Sequence, residues 1–155
     1  MREFLYAAFV YNVMLQNRFK KILVALDGSM HSRRGMNEAI SLARQSDAVI
    51  TGIHVIPGFP KNFGTSKKYE THAMRNIGKF MSDARINAGR HGLEFEEKVV
   101  KSNDTVAAIS NQAKSGKYDV IIIGSRGQGS PKSEYFGSVA NGVLHDSSVP
   151  VLLVK

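Results

Sequence analysis

Residues 121–139 read IIIGSRGQGSPKSEYFGSV, and the fold turns on how that stretch is parsed. Apolar residues run to Ile123 and stop at Gly124. A polar loop with Gly127 and Gly129 follows, and Gly137-Ser138 then opens a segment carrying Val139 and Val143 one helical turn apart. An unalternating run of branched apolar residues suits a strand buried on both faces, as in a parallel sheet. Loop glycines let the backbone come close to a ligand. A helix start presents unpaired N–H groups with a partial positive charge behind them. Strand, loop and helix N-terminus are together the parts of an anion cradle, and phosphate is the obvious anion.

Outward from that stretch the same punctuation repeats. Lys21 to Leu26 (KILVAL) is a second buried run, ended by the turn residues Asp27-Gly28-Ser29. Ser29 or Ser32 is placed to cap a helix whose Met36, Ala39, Ile40 and Ala43 share one face. Ala48 to Ile56 reads as a strand closed by Pro57-Gly58. Past a loop from Phe59 to Lys68, the stripe Met74, Ile77, Met81, Ala84 and Ala88 predicts a long helix, its methionines filling core, ended by His91-Gly92. Leu93 to Val100 is polar enough for an edge strand. Asn103 or Asp104 caps a helix bearing Val106, Ile109 and Ala113, with Gly116 at its end. Asp119 to Ile123, a helix from Ser138 to Ser147, and Val151 to Val154 complete the chain.

This β-α alternation predicts an α/β fold, a single-domain open five-stranded parallel sheet in the order 3-2-1-4-5 with helices on both faces. In that order the winding reverses between the first and fourth strands, where ligands bind beyond the carboxyl ends. The loops at that point begin with Asp27 and Gly124, so polar signals far apart in sequence converge on one crevice. Asp27 fits two roles, a turn and cap residue, or an acceptor for a sugar hydroxyl or base amine. Ser138 is either an N-cap alone or a hydroxyl that joins its backbone N–H in holding a phosphate.

Composition narrows the classes. With 155 residues, 43% of them hydrophobic, one core suffices. There is no cysteine, which excludes disulfides, thiolate metal sites and cysteine nucleophiles and fits a reducing, cytoplasmic setting. The net charge of +8 is spread over short pairs such as Lys20-Lys21 and Arg33-Arg34, so it reads as a solvated basic surface and makes a nucleic-acid partner the weaker alternative. Residues 1–18 (MREFLYAAFVYNVMLQNR) form an N-terminal extension preceding a domain over residues 19–155. It is too short and interrupted for a membrane span and lacks a signal-peptide pattern. It reads as a packing extension, or as the product of an upstream start with Met14 the functional one.

At this point the residues resemble the universal stress protein family in its ATP-binding form, over Phe19 to Lys155. The opening strand with Asp-Gly-Ser stands as KILVALDGS. The signature of glycine, two residues, glycine, nine residues, glycine and serine or threonine is met by Gly124, Gly127 and Gly137-Ser138, and GSVANGVLHDSSVPVLLV is similar to the family's closing helix and strand. The resemblance implies a Rossmann-like, adenine nucleotide alpha hydrolase-like domain with ATP, or AMP or another adenine nucleotide, in the crevice together with magnesium or manganese. Asp27 would then contact ribose or adenine, while Ala25, Leu26 and Val55 line the base. Gly124 and Gly127 would hold ribose and phosphate; Gly137, Ser138 and Val139 would take phosphates, and Arg126 would add charge. Lys132 and Glu134 offset one another in the loop, which shifts the expected grip on phosphate to backbone N–H groups and a divalent cation.

The expected function is that of a nucleotide-dependent regulatory protein of the stress response. A homodimer is expected through the short apolar C-terminal edge strand. The enzyme alternative is a slow magnesium-dependent ATPase or nucleotidyl-transfer protein of the same fold. Five scattered histidines offer no base and nucleophile pair, and neither a Walker-type lysine loop nor an HExxH motif is present. No catalytic residue and no protein metal ligand is therefore assigned.

Overall fold

The computed structural model describes residues 18–58, 67–128 and 136–155; the readings made for residues 1–17, for the loop at 59–66 and for Gly129, Lys132 and Glu134 lie outside them. Strands β1 (Lys21–Ala25), β2 (Val49–Ile56), β3 (Phe95–Lys101), β4 (Val120–Gly124) and β5 (Val151–Val154) form one sheet in the order β3-β2-β1-β4-β5, every pair parallel. Helices α1 (Met30–Ser46), α2 (Lys67–Arg90), α3 (Thr105–Ser115) and α4 (Ser138–Asp146) connect them. The expected fold class and strand order are those observed.

The two unalternating runs are central because each presents apolar side chains to both faces. Ile22 and Val24 of β1 and Val120 and Ile122 of β4 pack in one layer with Met36, Ala39 and Ala43 of α1 and Met81 and Ala88 of α2. Leu23, Ile121 and Ile123 point the other way, into a layer closed by Ile109 and Ala113 of α3 and Ala140 and Val143 of α4. Ile22, Leu23, Ile121 and Ile122 are wholly excluded from solvent. Each such side chain contributes about 1.5–3 kcal/mol of transfer free energy, so the central pair anchors both layers. The edge strand β3 is largely exposed, which its charged sequence FEEKVVK permits.

Two capping alternatives are resolved. Ser29 caps α1 by accepting the Ser32 N–H at 3.1 Å, and Asp104 caps α3 by accepting the Ala107 N–H at 2.9 Å. One expectation is corrected. Met36 and Met81 are 3% and 1% exposed, but Met74 is 52% exposed. The apolar stripe of α2 begins at Ile77, because the preceding turn, with Ala73 and Asn76, borders an open groove and not the sheet. Gly124 has a packing reason: a Cβ there would lie 2.7 Å from the backbone carbon of His31, so the first turn of α1 rests directly on the end of β4.

Candidate functional site

The site begins where β1 leaves the sheet. The β1–β2 ladder ends at Ala25 and Ile53, and the Leu26 N–H closes it on the Ile53 carbonyl at 2.9 Å. β2 runs three residues further. Backbone groups of alternate strand residues point to the same neighbour, so Val55 is oriented like Ile53 but has no β1 residue opposite it. Its N–H and C=O stand open at the crevice, one donor beside one acceptor. The Leu26 carbonyl is engaged elsewhere, by Nδ1 of His54 at 2.6 Å. A carbonyl only accepts, so Nδ1 carries the proton.

The opposite side is built from β4 and α4. The Ser125 N–H donates to the Val154 carbonyl at 2.6 Å and the Gly137 N–H to the Ser125 carbonyl at 2.8 Å, which brings the start of α4 beside the end of β4. Gly137 is the N-cap and supplies no side-chain bond, in contrast to Ser29 and Asp104 at the other capped helices. The leading N–H groups of α4 are thus left for an acceptor from outside the helix.

Asp27 spans the two sides. Its Oδ1 accepts the Ser29 N–H at 2.9 Å, and its Oδ2 accepts the Gln128 N–H at 2.8 Å. The carboxylate therefore ties the β1–α1 turn to the glycine loop. Burial pushes its proton affinity up, but donors on Ser29, Gln128 and Ser32 outweigh burial and hold the carboxyl below its ordinary 3.8, so it is ionised at neutral pH. Gly127 is needed for space. A Cβ there would sit 2.8 Å from Asp27 Oδ2.

Between these walls lies a cavity of about 200 Å3, and it is lined by all ten residues singled out from the sequence: Ala25, Leu26, Asp27, Val55, Gly124, Arg126, Gly127, Gly137, Ser138 and Val139. Thr105 and Ile109 of α3, together with Ser32, Ile53, His54, Ile123, Gln128 and Ala140, also line it and were not foreseen. Thr105 offered a signal, since it follows the cap at the start of a helix on the same side of the sheet. Gln128 offered none, because its backbone role depends on a partner 101 residues away. Arg126, half-buried, brings a cation to the cavity. Among the described residues no group of three His, Asp or Glu side chains could hold a metal ion. Asp27, the one carboxylate among the described residues at the cavity, already accepts on both oxygens. Among the described residues the donors at the cavity do not make up a protein cage for a divalent cation.

A doubly wound five-stranded sheet with a glycine loop at its switch point defines a class of α/β ligand-binding domains, and within it the chain belongs to the universal stress protein family, whose family model matches residues 18–155. Universal stress protein YxiE of Bacillus subtilis is 29% identical over 151 residues, covering 88% of this chain and 99% of its own. Among solved structures, universal stress protein UspA from Lactobacillus plantarum superposes with a TM-score of 0.76 at 18% identity, over 89% of this chain and 99% of that one. The universal stress protein from Archaeoglobus fulgidus in complex with dAMP superposes with a TM-score of 0.70 at 24% identity, over 89% of this chain and 99% of that one.

Proposed function

We propose that the chain is an ATP-binding regulatory protein of the stress response, acting as a cytoplasmic homodimer. One observation carries the reading. A single cavity has an open backbone donor and acceptor at Val55 on its β2 side and a helix start without a side-chain cap, with Gly124 and Gly127, on the other. Adenine offers an amine donor next to a ring-nitrogen acceptor, which a strand backbone end matches, and a phosphate chain suits the N–H groups of Ser138 and Val139. The dAMP complex of the Archaeoglobus relative supports an adenine nucleotide in this fold. Asp27, ionised and facing the cavity, is available to ribose hydroxyls through its remaining lone pairs. The Arg126 cation and the first N–H groups of α4 would face the phosphates, and magnesium or manganese arriving with them would supply further charge neutralisation there. A phosphorylated ligand and a cysteine-free chain fit the reducing cytoplasm.

Titration calorimetry of the protein with ATP, with and without magnesium, is expected to show one site per chain and tighter binding when magnesium is present. No heat of binding for ATP or AMP under either condition would overturn the reading.

The dimer is proposed through β5, an edge strand whose only sheet neighbour among the described residues is β4. Leu152 is 41% exposed there, an apolar side chain beside open backbone groups. Leu152→Lys is expected to turn a dimer into a monomer in sedimentation equilibrium while leaving the circular dichroism spectrum unchanged. A wild-type monomer at tens of micromolar, or a variant that remains dimeric, would remove this interface.

A further inference from the structure

A second cavity, of about 410 Å3, lies on the α1–α2 side of the sheet. It shares Asp27, His54 and Gln128 with the first, so those residues form a partition between them. Side chains alternate along β2, which turns His54 away from Ile53 and Val55 and toward α2. There its ring meets Phe80 edge-on, with centroids 5.1 Å apart. Fixed by its bond to the Leu26 carbonyl, His54 joins Phe80, Ile77, Ile56 and Pro57 in an apolar and aromatic floor.

The rim is polar. Arg33 stands on α1; Asn76, Lys79 and Asp83 stand on α2. Arg85 and Glu97 form the one ion pair among the described residues, so neither Arg33 nor Lys79 is ion-paired there. Of the two carboxylates among the described rim residues, Asp27 is held by backbone donors and Asp83 has no such bond, so the uncommitted groups among the described residues carry two positive charges against one negative. A ring-sized apolar floor under a few convergent polar groups is the usual make-up of a small-molecule site, and unpaired arginine and lysine select a carboxylate, sulfonate or phosphate.

We propose that this cavity is a second ligand site, taking a small planar ring that bears one anionic group, with the ring on Phe80 and His54 and the anion between Arg33 and Lys79. The site is separate from the proposed nucleotide site, because Arg33, Lys79 and Phe80 do not line the first cavity. It is also adjacent to it. The Gln128 side chain lies by Gly28, where a Cβ would be 3.3 Å from its amide nitrogen and 2.9 Å from Phe80. Gln128, whose backbone N–H is held by Asp27, thus borders both cavities.

The test is a titration of isotopically labelled full-length protein with three isosteric probes, 2-naphthoate, 2-naphthamide and 2-naphthylmethylammonium, followed by amide and side-chain chemical shifts. The expected result is saturable shifts at Asn76, Ile77, Phe80 and Asp83, with naphthoate bound at least about fivefold more tightly than the amide, and the ammonium weakest. Arg33→Gln with Lys79→Gln, both exposed and outside the core, should erase the preference for naphthoate without changing ATP binding. Phe80→Ala should weaken all three probes. Shifts confined to Ile109 and Val139, equal affinity for all three probes, or an unchanged preference in the double variant would each overturn the proposal. None of those outcomes bears on ATP binding, which the same samples report separately.

Discussion

Gly127→Val is expected to reduce ATP affinity by about 100-fold, or about 2.7 kcal/mol, while the protein still folds. Gly127 is exposed in a loop, and its φ lies outside the left-handed region, so the substitution acts through room and not through backbone conformation. The first added carbon already falls 2.8 Å from Asp27 Oδ2, closer than real Cβ contacts come. A branched side chain must either push the carboxylate away or lift the loop from it. Both outcomes break the tie to Gln128 and fill the space in which a phosphate or ribose would approach backbone. Calorimetry with wild type and variant, and circular dichroism on both, checks the result. Equal affinity in the two proteins would remove Gly127 from the site.

Asp27→Asn is expected to cost stability as well as binding. The carboxylate accepts from two backbone N–H groups, one on each oxygen. An amide has a single acceptor oxygen, so one N–H would face an NH2 group. Hydrogen bonds to a charged acceptor are worth about 1.5–3 kcal/mol each, and the loss is expected to be about 2–4 kcal/mol in urea unfolding at pH 7. The sign of the pH dependence follows from the same bonds. The folded-state value lies below the ordinary 3.8, so Asp27 contributes its full stability above that value and loses it as pH falls through the lower, folded value. The wild type should approach the variant in stability only in that acid range. A variant that matches the wild type at pH 7 would show that Asp27 does not fasten the loop.

These two residues show what could be read from the chain and what could not. The sheet order was legible because KILVAL and DVIII are apolar on both faces, whereas FEEKVVK is not. Both sides of the first cavity were legible for a related reason: strands that end in Asp-Gly-Ser and in a glycine loop announce their carboxyl ends. The tie between Asp27 and Gln128 was hidden, since it joins loops whose approach only the folded sheet brings about. His54, one of the five scattered histidines and placed within a strand, suits a core or turn role by sequence. Its structural bond to Leu26 agrees with that, but its place in a partition between two cavities depends on α2 lying opposite, which periodicity alone does not show. Met74 fitted the helical period yet faces solvent, because period reports a helix face and not what lies across from it.

The central claim is that an adenine nucleotide lies between Val55 and the start of α4. Amide shift mapping of the labelled protein on addition of magnesium and ATP tests it most directly. Large, saturable shifts at Val55, Gly127, Ser138 and Val139, with Val99 of β3 unmoved, are predicted. Saturable shifts elsewhere with these four amides unchanged would contradict it.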